Sequence, residues 1–286
     1  MTDFWRRMRL GTLVAAVALV GVLALSGCGD DDKDKNKDEY TDKPVNTLYN
    51  DGMNALAEER YQDAAKSFDE VEREHPYSMW ATKAQLMAAY SLYQNDSYDD
   101  AINDLDRFIQ LHPGNRDIAY AYYLKALCYY EQVTDVERDQ SASEKALSSF
   151  QELIRRYPDT PYARDGRKKL DLVKDHLAGK EMEVGRFYED RGQYLAAINR
   201  FKTVVDKYQT TTQVPEALYR LIECYMALGI VDEARRTAAV LGYNYPNSSW
   251  YREGYQLVAN VKLNPGTGKK ADQSILGRAW NAIDVF

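Results

Sequence analysis

Histidine and cysteine are scarce in this 286-residue chain, with three of each. The sequence contains no HExxH, CxxC or GxSxG and no glycine-rich phosphate loop. Those absences exclude the common signatures of zinc proteases, dithiol redox proteins, serine hydrolases and phosphate-loop nucleotide binders. His75 and His112 each stand directly before a proline, at expected helix ends where an imidazole suits the helix dipole. Acidic pairs are frequent but fall at solvated helix positions, so no catalytic residue and no metal ligand is assigned, and the chain is expected not to be an enzyme. Only eight prolines interrupt a composition rich in Ala, Leu, Glu, Lys and Arg, which favours helix. The formal charge is −7, and an acidic chain lacks the basic face that nucleic acid requires.

One long apolar run is present, at the N-terminus. Arg6, Arg7 and Arg9 precede a stretch from Leu10 to Leu25 built from Leu, Val, Ala and Gly with one Thr. That is the length of a signal-peptide core and short for a membrane span. Leu25-Ser26-Gly27-Cys28 then matches a bacterial lipobox. The expectation is a lipoprotein signal peptide at 1–27 and a mature chain starting at Cys28, modified by an S-diacylglycerol and an N-acyl group. The alternative is a plain N-terminal anchor. Several acyl chains hold a protein stably where one does not. Gly29 stands where Asp would signal inner-membrane retention, which favours the outer membrane. Residues 28–43 are dominated by Asp, Lys, Asn, Gly and Glu and read as a solvated tether. The leader carries three Arg against one Asp, so the mature chain bears −9.

Beyond the tether a pattern recurs. "YQDAAKSFDEVEREHP" (61–76), "YDDAINDLDRFIQLHP" (98–113), "SEKALSSFQELIRRYP" (143–158) and "VDEARRTAAVLGYNYP" (231–246) share an alanine followed four residues on by an apolar residue and twelve on by proline. "YLAAINRFKTVVDKYQ" (194–209) follows the same pattern with Gln209 in the proline's place. The alanines are Ala64, Ala101, Ala146, Ala197 and Ala234, and their successors are Phe68, Leu105, Phe150, Phe201 and Ala238. A small residue lets two helices approach, a large one fills the gap, and the proline ends the second helix. Twelve residues before the alanine stand Gly52, Ala89 and Gly185, whereas the fifth repeat has Ile222. This resembles the tetratricopeptide repeat, a helix–turn–helix unit of 34 residues.

The spacing predicts the architecture. Successive alanines are 37, 45, 51 and 37 residues apart. A charged loop, 131–143, accounts for the first excess. The second, with no proline after Pro161, predicts one long helix over about 161–191. The expected fold is all-α: a right-handed tetratricopeptide-repeat superhelix of five repeats with a long central helix. Repeats 1–3 occupy 44–160, and the long helix with repeats 4 and 5 occupies 161–262. "SSWYREGYQLVAN" reads as a terminal capping helix with Ser248 or Ser249 as N-cap. Residues 263–286 read as a linker and an amphipathic helix with Ile275, Leu276, Ala279, Trp280 and Ile283 on one stripe. That stripe has three candidate destinations: the array itself, a partner, or the membrane. Cys128 and Cys224 lie in apolar helical stretches and read as buried free thiols, with a disulfide as the alternative.

In such an array the first helices line a concave face. The register places Tyr49, Met53, Leu86, Tyr90, Tyr93, Tyr123, Leu127 and Tyr130 there, in a chain with 23 tyrosines. Tyrosine offers both apolar area and a hydroxyl, which suits peptide recognition. Packing between repeats is the competing role for each.

Three stretches are more specific: "NTLYNDGMNALAEERYQDAAKSFDEVEREHPYSMWA", "YDDAINDLDRFIQLHPGNRDIAYAYYLKAL" and "LIRRYPDTPYARDGRKKLDLVKDHLAGKEMEVGRFYEDRGQYLAAINRF". Together with the lipobox they resemble the BamD (ComL) family, the lipoproteins of the outer-membrane β-barrel assembly machinery, over about residues 44–246. The resemblance implies a non-enzymatic scaffold without cofactor, lipid-anchored in the outer membrane and facing the periplasm. It implies partners as well: the POTRA region of BamA, other Bam subunits, and unfolded outer-membrane β-barrel proteins. For BamA it points to Arg191 and Arg200, whose guanidinium groups can take a partner carboxylate bidentately; a solvated surface arginine is the competing reading. For the substrate groove the repeat register gives Tyr49, Tyr90 and Tyr93, with Tyr77 directly after the first repeat's proline. Another periplasmic repeat lipoprotein, pilotin-like or a cell-wall adaptor, is the alternative function.

Overall fold

The computed structural model describes residues 43–135 and 140–259. The signal peptide, Cys28, the tether as far as residue 42, and the linker and amphipathic stripe of 263–286 lie outside the described residues. Among the described residues there are eleven helices and no strand. They are α1 (Val45–Ala57), α2 (Tyr61–Glu74), α3 (Ala81–Gln94), α4 (Tyr98–Leu111), α5 (Ile118–Glu131), α6 (Ser141–Arg156), α7 (Pro161–Asp190), α8 (Tyr194–Lys207), α9 (Val214–Ala227), α10 (Val231–Asn244) and α11 (Ser249–Ala259). From α1 to α10 each helix packs chiefly against its predecessor and its successor. The fold is the expected all-α tetratricopeptide-repeat superhelix: α1/α2, α3/α4, α5/α6, the second half of α7 with α8, and α9/α10 form five repeats, and α11 packs on α9 and α10.

The small–large pairing seen in the sequence is the core of each repeat. Phe68, Leu105, Phe150 and Phe201 are fully buried, as are all five repeat alanines. A Cβ added at Gly52 would stand 2.7 Å from the Phe68 ring, and one at Gly185 would stand 2.4 Å from the Phe201 ring. Both glycines are therefore required by close approach rather than by backbone conformation. In the third repeat the charged insertion breaks the twelve-residue spacing. Ala126, at the offset in α5 that Ala89 has in α3, takes the small position and is fully buried. The fifth repeat inverts the pair: Ile222 and Ala238 are buried in one cluster, with the bulk on the first helix.

The second helices end at His75, His112, Tyr157, Tyr208 and Tyr245, with φ between −123° and −132° and ψ between 43° and 55°. Four of these precede proline, which disfavours helical ψ. Tyr208 precedes Gln209 and adopts the same conformation, so stacking of the next repeat imposes it there. The turns inside four of the five repeats are alike as well, the third being the one with the insertion. Glu59, Asp96, Gly192 and Gly229, each five residues before a repeat alanine, all have positive φ, from 58° to 72°.

The long helix α7 has 30 residues where the other first helices have 13 or 14. Pro161 opens it, and the Thr160 hydroxyl accepts a hydrogen bond from the Ala163 N–H at 3.2 Å. Leu170, Val173 and Leu177 join the core of repeats 2 and 3, while Ala178 and Met182 join that of repeats 4 and 5. At α11 the hydroxyl of Ser248 accepts from the Trp250 N–H, which selects Ser248 of the two expected caps. Cys128 and Cys224 are buried free thiols; burial pushes the Cys128 thiol up to about 12.

Gly185→Ala is expected to destabilise the protein by about 1–3 kcal/mol, because the buried Phe201 ring must move out of its well. Urea unfolding should show a lower midpoint at an unchanged slope. An unchanged midpoint would mean that the ring has room to yield.

Candidate interaction surface

The first helices of repeats 2 and 3 and the start of α7 carry a run of tyrosines. Tyr93 lies 5.9 Å from Tyr98, between ring centroids. Tyr162 on α7 lies 5.3 Å from Tyr120 and 5.5 Å from Tyr123. The hydroxyls are anchored within the protein. Tyr123 donates to Asp165 at 2.6 Å, and Tyr90 accepts from the Gln94 amide at 2.6 Å. Burial, with help from Glu131, pushes the Tyr93 hydroxyl up to about 12. Burial and the Asp165 carboxylate push Tyr123 up in the same way. The Tyr93 and Tyr123 phenols therefore stay neutral at physiological pH, and their part of the face is apolar with fixed hydrogen-bonding groups.

The positions expected from the register divide. Tyr90, Tyr93, Tyr123 and Tyr130 are half-buried, so part of each ring reaches the surface. Leu86 and Leu127 are buried. Tyr49 is 5 % exposed, with its ring 5.3 Å from Phe68 and 4.8 Å from Trp80, so it offers its ring to the core of the first repeat. Met53 is exposed on α1, and Tyr77 is fully exposed in the turn after α2, beside the exposed Met79. Tyr120 and Tyr162 were not singled out from the sequence, although Tyr120 stands three residues before Tyr123, one helical turn away.

The C-terminal repeats carry charge instead. Arg200 on α8 is exposed and donates to Glu181 of α7 at 3.2 Å. It lines an open depression with Tyr188, Ala196, Asn199 and Thr203. Arg191 caps α7, donates to the Phe187 carbonyl at 3.2 Å, and lays its guanidinium 3.4 Å over the Phe187 ring. Phe187 and Leu195 are exposed beside this turn, and Leu228 and Ile230 are exposed at the corresponding turn of the fifth repeat. This apolar edge escaped the sequence reading, because an apolar residue beside a turn has the same signature whether or not a neighbour covers it.

A third group links α7, α9 and α11. Arg220 approaches Glu189 at 3.7 Å, Glu216 at 3.5 Å and Glu223 at 2.9 Å, and its guanidinium lies 5.7 Å over Tyr219 and 5.9 Å over Trp250. Arg186 donates to Glu216 at 3.0 Å. Cys224 donates its thiol to Glu189 at 3.6 Å. Burial raises the Glu189 carboxyl to about 7, against the opposing pull of Arg220. A carboxyl raised in the folded state binds its proton more tightly there than in the unfolded chain. Its stability contribution is full below the unfolded value of about 4.5 and is lost as pH rises through about 7. Wild type should therefore lose stability relative to Glu189→Gln across that window, read from urea midpoints at several pH values. A difference that does not change with pH would contradict the assignment.

No helix among the described residues is long and apolar enough to cross a membrane. Taken together, the helix pairs, the half-exposed tyrosine face and the separate arginine-bearing edge define a repeat scaffold with two chemically different surfaces. Comparison with known proteins places that scaffold. The model of the outer membrane lipoprotein family YfiO matches residues 41–241. The chain is 47% identical over 252 residues to the outer membrane protein assembly factor BamD of Caulobacter vibrioides, covering 88% of this chain and 82% of the relative. It is 49% identical over 257 residues to the BamD of Rickettsia prowazekii, covering 89% of this chain and all of the relative. It is 34% identical to the BamD of Neisseria meningitidis serogroup A over 245 residues, 82% of this chain and 92% of the relative. The chain belongs to this BamD family of outer membrane lipoproteins.

Proposed function

We propose that this protein is a non-enzymatic scaffold of outer-membrane β-barrel protein assembly. A lipid on Cys28 holds it on the periplasmic side of the outer membrane, and it uses no cofactor. Its C-terminal repeats hold the POTRA region of BamA, and its N-terminal repeats receive unfolded barrel proteins. The observation that carries this reading is the near-full-length likeness to relatives named as outer membrane protein assembly factors.

The two surfaces support the division of labour. An unfolded barrel protein presents aromatic and β-branched residues in an extended chain. Tyrosines held by their own hydroxyl partners supply apolar area to such a chain at low entropic cost. A folded partner domain is better held by charge. Arg200 and Arg191 are already positioned by Glu181 and Phe187, so little side-chain freedom is lost when a partner carboxylate arrives. The exposed Phe187, Leu195, Leu228 and Ile230 give that docking site its apolar area.

The test is a pull-down from detergent-solubilised outer membranes with tagged, lipidated wild type and Arg200→Glu. Wild type is expected to recover the barrel subunit and the variant to lose it. Recovery by both would keep the function and move the docking site away from Arg200. Recovery by neither, with both proteins folded, would overturn the reading.

A further inference from the structure

The turns that follow the second helices share one shape. Ser78, Asn115, Thr160, Thr211 and Ser248 each donate the backbone N–H to the carbonyl three residues earlier, at 2.9 to 3.3 Å. Each stands two places after the repeat proline, or after Gln209 in the fourth repeat. The positions on either side of it are exposed in all five turns. Four turns fill those two positions with small or polar residues or proline: Gly114 and Arg116, Asp159 and Pro161, Thr210 and Thr212, Asn247 and Ser249.

The first turn departs from this. It carries Tyr77, fully exposed, and Met79, 88 % exposed. Since the other four sequences make the same turn, its shape does not call for a large apolar side chain at either place. A single exposed apolar residue is ordinary on a protein surface. A pair that fills both open positions of one ordered turn presents apolar area to whatever lies against that edge of the array.

The same turn is where the chain enters the array. The His75 ring Nε2 donates to the Lys43 carbonyl at 2.8 Å, and Lys43 Nζ lies 3.9 Å from Asp51. Lys43 is thus tied to the residue that precedes Pro76. Lys43 follows Cys28 by fifteen residues, a length that spans at most about 50 Å. A lipid on Cys28 therefore holds this edge of the array nearest the membrane. The turn is chemically suited to that place. From His75 to Ala81 it has no Asp or Glu, so no carboxylate loses its water if the turn enters the headgroup region. Tyrosine and tryptophan favour that region, with an apolar body and a polar tip, and half-buried Trp80 follows Met79 directly.

We propose that the turn of Tyr77 and Met79 rests in the headgroup region of the phospholipid leaflet that holds the lipid anchor. The proposal rests on the lipid at Cys28 put forward above. The acyl chains supply retention, and the turn supplies orientation, because it selects the edge of the array that meets the membrane. Tyr77 then serves the membrane rather than the client groove. The tyrosine face runs along α3 and α5 rather than at this turn, and it stays open to a client.

The test places a nitrobenzoxadiazole fluorophore on the lipidated full chain through Met79→Cys or, as reference, through Tyr243→Cys, whose tyrosine is also 88 % exposed. Cys128 and Cys224 are buried and stay unlabelled. The vesicles contain phosphatidylethanolamine, phosphatidylglycerol and a nitroxide-labelled phospholipid. Quenching at position 79 is expected to exceed that at position 243 by at least about twofold, as for a group seated at the interface. Tyr77→Asp in the Met79→Cys chain should remove most of that excess. Equal quenching at the two positions on vesicle-bound chain would overturn the proposal and leave the anchor standing. An excess that Tyr77→Asp keeps would also overturn it, because the tether alone then sets the distance. A chain that does not sediment with the vesicles would overturn the anchor and the proposal together.

Discussion

The architecture depends on one steric relation: a residue with little or no side chain on the first helix faces a large one on the second. Gly52 with Phe68 and Gly185 with Phe201 are its tightest forms, with no space for even a methyl group. The relation fixes how closely the helices cross and which faces remain for the neighbouring repeats. It tolerates exchange of partners, since the fifth repeat puts Ile222 on the first helix and Ala238 on the second. Total volume between the helices is what is kept, as in other well-packed cores. Each repeat alone leaves an apolar face open, so stability comes from stacking.

That dependence gives α7 its importance. Helix pairs elsewhere meet through turns, which are the natural places for a repeat array to bend. Between the third and fourth repeats no turn exists, because a single 30-residue helix contributes Leu170, Val173 and Leu177 to one core and Ala178 and Met182 to the next. At 1.5 Å per residue it is about 45 Å long. A group bound on the N-terminal repeats and one bound on the C-terminal repeats therefore keep a fixed separation. In the proposed function, this holds an arriving chain at a set distance from the assembly channel.

The repeat register was legible in the sequence because it is written in residue volume and in proline, both of which act locally. The long helix followed from a count of residues without a breaker, and Pro161 and Asp190 mark its ends almost where the count put them. Exposure was less legible. The pattern puts both Tyr49 and Tyr93 on the concave face, yet Tyr49 lies against Trp80 while Tyr93 keeps part of its ring at the surface. The difference comes from the bulk of a residue outside both helical patterns. The Arg220 network was invisible for a related reason: Glu189 is 31 residues away in sequence and is brought close only by packing of α7 on α9. Ala126 was missed because an insertion beside it shifted the count on which the small positions were found.

The two surfaces also differ in what it costs to bind on them. Arg200 and Arg191 must give up water when a partner covers them, and a charge is desolvated at a loss unless a well-placed opposite charge replaces that water. If a partner docks there as proposed, one that lacks the matching carboxylate is penalised, which favours selectivity. The tyrosine face has no such requirement. Tyr123 keeps its bond to Asp165 when covered, and Tyr90 keeps its bond to Gln94. In the proposed function, a chain that brings apolar area needs no matching charge to be accepted there. In the proposed function, one protein thus combines a discriminating surface, suited to a permanent neighbour, with a permissive one, suited to many different clients.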